Sequence, residues 1–154
     1  MSPLLDTHAW IWWVDQDRRL GAGTIAALDA LPRSERPFIS DISLWEVAML
    51  VAGGRLALDV TLGEWLEAAA HPRSVRIVPI TPEIAAGVAA LPASFHRDPA
   101  DRIIVATARS RQLPVVTHDR RITGSRLVKR WRPSRPSGWQ GRRPGDVSRA
   151  VTPA

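Results

Sequence analysis

Four acidic residues are spaced along the chain in a way that would suit shared chemistry. Asp6 ends an apolar stretch near the N-terminus, and Glu46 lies early in the segment ISLWEVAML. Asp101 and Asp119 lie further along, on either side of the apolar run LPVVT. Four carboxylates at one place repel one another unless a cation neutralises them. Mg²⁺ and Mn²⁺ prefer oxygen ligands and can activate a bound water, so this set predicts hydrolysis of a phosphodiester.

The elements predicted around these acids would place them at one edge of a sheet. Apolar runs predict short strands over residues 3–6, 37–40, 76–79 and 113–117, with a further one at 127–129. Helical spacing and capping residues predict helices over residues 7–14, 24–31, 42–52, 61–70, 82–90 and 98–111. This alternation predicts an α/β fold with a parallel sheet of four to five strands flanked by helices, and such sheets bind ligands at the carboxyl ends of their strands.

The same acids also have structural explanations. Asp6 and Asp119, at the ends of predicted strands, could simply be turn residues. Glu46 follows Ser43 at the spacing of a capping box, in which it would bind backbone N–H groups. Asp98 is suited to a helix N-cap, and Asp101 would then favour the helix dipole. These alternatives stay open unless the fold brings the acids together.

The chain of 154 residues is near neutral over most of its length and basic at its end. Residues 1–125 hold 13 Lys and Arg against 14 Asp and Glu, whereas residues 126–154 hold eight basic residues and one acid. A basic end segment is either attracted to a polyanion such as RNA or simply solvated.

Composition predicts one folded domain over residues 1–131 and a disordered basic tail, rich in Pro, Arg and Gly, over residues 132–154. The absence of cysteine excludes disulfides and cysteine-ligated zinc. No apolar run approaches the ~18 residues of a membrane span, and no secretory leader pattern is present. We therefore expect a soluble, cytoplasmic protein without membrane contact.

Three segments resemble PIN-domain ribonucleases of the VapC type, the toxins of type II toxin–antitoxin systems. They are LLDTHAWIWW, PFISDISLWEVAML and LPASFHRDPADRIIVATARSRQLPVVTHD, within a resemblance that extends over roughly residues 3–131. The resemblance implies a PIN-like fold and an endoribonuclease that depends on Mg²⁺ or Mn²⁺. It also implies an RNA substrate, a cognate VapB-type antitoxin and a homodimer.

Matched to the family, the metal-binding and catalytic positions are the four acids Asp6, Glu46, Asp101 and Asp119. Asp98 falls on an auxiliary acidic position, where it would be a helper or a cap. Thr117 falls on a hydroxyl position that orients the attacking water. Contacts with the RNA backbone are predicted for three arginines, Arg102, Arg130 and Arg132.

Two other functions compete with the nuclease. One is a non-catalytic PIN-like module that binds RNA or a protein, and the presence of all four acids argues against it. The other is a phosphatase with Asp6 as its nucleophile. The D-x-D pattern expected for that enzyme is broken here, because His8 takes the second position.

Overall fold

A computed structural model describes residues 1–133 of the protein and shows a parallel four-stranded sheet. Its strands are β1 (Leu4–Leu5), β2 (Phe38–Ser40), β3 (Arg76–Val78) and β4 (Val115–Val116). They lie in the order β3-β2-β1-β4. A single parallel bridge joins Val115 to Arg130, directly after the segment predicted as a last strand. The predicted parallel α/β fold with four to five strands is confirmed.

Seven α-helices are present among the described residues: α1 (Thr7–Val14), α2 (Ala22–Asp29), α3 (Ile42–Ala52), α4 (Leu62–Ala69), α5 (Pro82–Ala89), α6 (Pro99–Arg111) and α7 (Arg120–Thr123). Short 3-10 turns lie at Arg18–Leu20 and Arg33–Glu35. Helix α2 begins two residues before its predicted start, next to Gly21, whose φ of 94° ends the preceding 3-10 turn. Helix α7 was not predicted, because its four residues are too short to show a period.

Both faces of the sheet are covered at β1, where the two successive residues point to opposite sides and both are buried. On one side, Leu5 packs in a core with Trp10 of α1 and Trp65 of α4. On the other side, Leu4 packs against Ile104 of α6. Burial on both faces explains why these strands appear in the sequence as unbroken apolar runs rather than alternating patterns.

The order of the strands decides where a ligand can bind. From β1 the chain moves outward to β2 and then β3, and it returns across the sheet to place β4 on the other side of β1. The direction of the crossovers therefore changes between β1 and β4. In open α/β sheets the ligand crevice lies at such a point, outside the carboxyl ends of the strands.

No helix among residues 1–133 is both long enough and apolar enough to cross a membrane. The predicted tail of residues 132–154, with its predicted disorder, lies outside the described residues except for its first two positions.

Candidate active site

The acids that follow β1 and β4 meet at the crevice between these neighbouring strands. Asp6 follows β1 directly and caps α1, its Oδ1 accepting the Ala9 N–H at 2.7 Å. Asp119 follows β4 after two residues and caps α7, its Oδ1 accepting the Arg121 N–H at 2.8 Å. A cleft of about 280 Å³ lies here, and its lining includes all five acids singled out from the sequence: Asp6, Glu46, Asp98, Asp101 and Asp119.

Helix α6 supplies two of these acids from its first turn. Asp98 is exposed and is the N-cap, accepting the Asp101 N–H on its Oδ1 at 3.0 Å. The Asp101 carboxylate is mostly buried, with Oδ2 lying 3.2 Å from His96 Nε2 and 3.9 Å from Arg121 Nη2. The His96 ring is close but not aligned for a hydrogen bond. Asp98 therefore acts as the predicted cap while Asp101 lies among the other acids.

Glu46 is held by the first turn of α1 rather than by its own helix. The Thr7 hydroxyl donates to Glu46 Oε2 and lies 2.9 Å from the Ser43 hydroxyl. Because Thr7 donates to Glu46, the Ser43 hydroxyl is the donor in the second bond. The N-cap of α3 is Asp41, whose side chain makes no capping bond. The alternative of a capping box between Ser43 and Glu46 is therefore wrong.

The surroundings of the acids shift their pKa values in different directions. Burial raises the pKa of Asp6 and the pKa of Glu46. Burial, followed by the charges of neighbouring acids, raises the pKa of Asp101 to about 7. By contrast, hydrogen bonds from the Arg121 side chain lower the pKa of Asp119. The cleft thus concentrates carboxylates that repel one another, and Arg121 is the cation that most directly offsets this repulsion.

Comparison with known proteins agrees with this geometry. A model of the PIN domain family matches residues 4–124. The chain belongs to the PIN-domain family. It is 40% identical over 123 residues to Ribonuclease VapC22 of Mycobacterium tuberculosis (strain ATCC 25618 / H37Rv), a match that spans 80% of this chain and 91% of that protein. The predicted resemblance to VapC-type PIN proteins is confirmed.

A solved structure shares the fold. A chain of a toxin-antitoxin complex from Klebsiella pneumoniae superposes with a TM-score of 0.58 and is 26% identical. The match covers 82% of this chain and 95% of that chain. The match therefore spans most of both chains.

The donor atoms of this PIN domain suit a hard divalent cation. His96 and the carboxylates of Asp101 and Asp119 each offer a ligand atom within 4.8 Å of the others. The raised pKa of Asp101 fits such an ion, because it reflects burial and neighbouring negative charge that a cation would offset. Carboxylate oxygens are the ligands that Mg²⁺ and Mn²⁺ prefer, so Asp101 and Asp119 are the members of this group best suited to such an ion.

Thr117, which was predicted to be the auxiliary hydroxyl, lies beside Asp6 and Asp119. It is buried, and its Oγ1 accepts the Asp119 N–H at 3.0 Å. The Thr117 side chain also opposes the rise in the pKa of Asp6. Its position links the two acids at the ends of β1 and β4.

The predicted RNA-contacting arginines lie outside the residues that line the cleft. The guanidinium of Arg102 donates to the backbone carbonyls of Phe95 and His96, at 3.0 Å and 3.2 Å. It therefore holds the loop before α6. Arg130 and Arg132 are exposed at the side of β4. Their contact with RNA stays a prediction.

The sequence did not assign a role to two residues that line the cleft, Thr7 and Arg121, or to His96 beside Asp101. Thr7 holds Glu46 and was indicated only by its place after Asp6. His96 adjoins the acids in the sequence, but no role was predicted for it, because the spacing of the histidines matches no zinc motif. Arg121 lies two positions after Asp119, and the short helix that turns it back onto that acid could not be predicted.

Proposed function

We propose that this PIN-domain protein is a metal-dependent endoribonuclease of the VapC type, the toxin of a toxin–antitoxin pair. The observation that carries the proposal is the convergence of the four acids in one cleft at the carboxyl edge of the sheet. Similarity to Ribonuclease VapC22 supports RNA hydrolysis, and similarity to a chain of a toxin-antitoxin complex supports the toxin role.

Asp6, Asp101 and Asp119 would hold one or two Mg²⁺ or Mn²⁺ ions, with help from Glu46. When bound, such an ion would lower the pKa of a water molecule and stabilise negative charge on the phosphodiester. Attack of water on phosphorus with departure of the 3′ oxygen would leave 5′-phosphate and 3′-hydroxyl ends. The family resemblance implies those products.

The protein's own contribution is to hold the acids in place before RNA arrives. The Ala9 N–H fixes Asp6, and the backbone N–H of Arg121 fixes Asp119. The Thr7 hydroxyl fixes Glu46 across the cleft. Carboxylates held by backbone groups and by a buried hydroxyl reorganise little when a cation and a phosphate bind, which favours catalysis.

Arg130 and Arg132 are proposed to contact the RNA backbone. The Lys129 C=O and the Trp131 N–H both bond to Val115, so this segment runs parallel to β4. It therefore leads toward the edge of the sheet that holds Asp119. Phosphate contacts made there would position RNA without reading its sequence.

The partners of the proposed toxin are a VapB-type antitoxin and a second copy of the chain. The complex from Klebsiella pneumoniae supports the antitoxin. Exposed apolar side chains on α3 support self-association, since Trp45 and Met49 are 52% and 46% exposed. Both partners stay proposals.

Substitution of Asp6 by Asn tests the proposed function. Asn removes the charge but keeps the oxygen that caps α1, so we expect a folded protein that no longer cleaves RNA. The matched control is Asp15→Asn, which makes the same charge change at the exposed end of α1 and should leave cleavage unchanged. Gel analysis of cellular RNA and circular dichroism give the two readouts. Full activity in the Asp6→Asn protein would overturn the assignment and favour a module that binds RNA or protein without catalysis.

A further inference from the structure

The guanidinium of Arg121 lies against two of the acids proposed to hold metal. Its Nη2 lies 2.8 Å from Asp119 Oδ2 and 3.9 Å from Asp101 Oδ2. Its Nε donates to both Asp119 oxygens, at 3.2 Å and 3.3 Å. A fork of this kind fixes the geometry of an arginine–carboxylate pair, and it covers the oxygens that a metal ion would use.

Arg121 is nevertheless free to leave. Its side chain is 62% exposed, and an ion pair at that exposure contributes little net energy. The carboxylate of Asp119 would stay in position without it, because Oδ1 also accepts the backbone N–H of residue 121. A divalent cation brings twice the charge of a guanidinium to the same oxygens.

A second recess gives the displaced guanidinium a place to act. This recess of about 340 Å³ adjoins the acidic cleft, and the Arg121 side chain lines both, while His96 lines the recess alone. Arg120 and Ser125 also line the recess. Among the described residues, no acid lines it. A guanidinium moved from the acids toward this recess would lie beside the cleft, where it could bind a phosphate.

We propose that Arg121 is an exchangeable counter-ion. In the metal-free protein its guanidinium neutralises Asp119 and Asp101, and when a divalent cation binds, it moves away and contacts a backbone phosphate of the RNA. This inference rests on the proposed nuclease function and adds a positioning role that the four acids do not supply.

The exchange predicts that replacing Arg121 by Gln strengthens the binding of Mn²⁺ and weakens the binding of RNA. Without a competing guanidinium, Mn²⁺ should bind the RNA-free protein about fivefold more tightly, as expected for loss of a weak ion pair. With saturating Mn²⁺, the KM for a single-stranded RNA should rise by about the same factor, because one phosphate contact is lost. Arg121→Lys keeps the charge but not the fork and should fall between Arg121→Gln and the wild type.

Isothermal titration calorimetry with MnCl₂ measures the first effect, and steady-state cleavage measures the second. For metal binding the matched control is Arg120→Gln, which removes the same charge from the neighbouring position and should change the Kd less than twofold. For RNA the control is Arg109→Gln, on the exposed last turn of α6. Circular dichroism checks the fold of each full-length variant.

Tighter Mn²⁺ binding together with a raised KM in Arg121→Gln would support the exchange. Unchanged or weaker Mn²⁺ binding would overturn it, and so would an unchanged KM. A wild-type protein that neither binds Mn²⁺ nor cleaves RNA would refute the proposed function and the exchange together. A wild-type protein that does both, with an Arg121→Gln variant like it, would refute the exchange alone.

Discussion

At the scale of single residues, the carboxyl group of Asp101 combines burial with a raised pKa. Its carboxylate is 15% exposed, and burial together with the charges of Asp98 and Asp119 raises its pKa to about 7. A carboxyl group with such a pKa still holds a proton over much of the range in which free aspartate is ionised. As a proposed metal ligand, Asp101 would therefore be a group for which a proton and a metal ion compete near neutral pH.

The raised pKa of Asp101 predicts a pH dependence of metal binding. Below about pH 7 the carboxyl group of Asp101 is mostly protonated when no metal is bound, so a metal ion must displace a proton. Well above pH 7 the group is ionised, and the free-energy cost of removing the proton disappears. Mn²⁺ should therefore bind about tenfold more tightly at pH 8 than at pH 6, as expected for release of one proton. Calorimetry in buffers of different ionisation enthalpy measures both the Kd and the proton release.

Asp101→Asn provides the control for this titration. The variant lacks the titrating group, so its residual Mn²⁺ binding should change much less between pH 6 and pH 8. Equal wild-type affinity at the two pH values, with no proton release, would contradict the account of Asp101.

The acids and their neighbours were not equally visible in the sequence. Asp6 and Asp119 could be located because each follows a short apolar strand. Glu46 was placed with them because it lies early in the predicted helix ISLWEVAML, while its hydrogen bond from Thr7 depends on the packing of α1 against α3. Arg121 and His96 could not be assigned, because their contacts depend on a four-residue helix and on a loop without a period.

At the scale of elements, the start of α6 decides the placement of Asp101. Asp98 caps this helix through a 3.0 Å bond to the Asp101 N–H, so the cap and the acid form one unit. The loop before α6 is held in turn by Arg102, through the carbonyls of Phe95 and His96. The sequence predicted the cap correctly, but it did not indicate that Arg102 faces backbone carbonyls.

Replacing Asp98 separates the cap from any role in metal binding. Asp98→Ala should lower the free energy of unfolding by about 1 kcal/mol, because an orphan N–H of α6 loses its acceptor. Asp98→Asn keeps an accepting oxygen and should stay close to the wild type. Urea denaturation followed by circular dichroism measures the difference.

Cleavage rates of the same two variants complete the comparison. If Asp98 is only a cap, Asp98→Asn should cleave RNA at nearly the wild-type rate. A folded Asp98→Asn protein without activity would instead make the Asp98 charge part of the metal site. An Asp98→Ala protein as stable as the wild type would contradict the capping role.

At the scale of the whole molecule, topology assembles the site. The four acids come from segments spread between positions 6 and 119, and the order β3-β2-β1-β4 places the ends of β1 and β4 side by side. The alternation of strands and helices was sufficient to predict a parallel sheet. The sequence did not by itself fix the strand order, which depends on crossovers between distant segments.

The measurement that tests the central claim most directly is RNA cleavage by purified, antitoxin-free protein in the presence of Mg²⁺ or Mn²⁺ and in the presence of EDTA. The wild-type protein should cleave only with metal, and a folded Asp101→Asn variant should lose that activity. Cleavage that persists in EDTA or in Asp101→Asn would contradict the acidic metal site. No cleavage of any cellular RNA by folded wild-type protein with metal would contradict the nuclease itself.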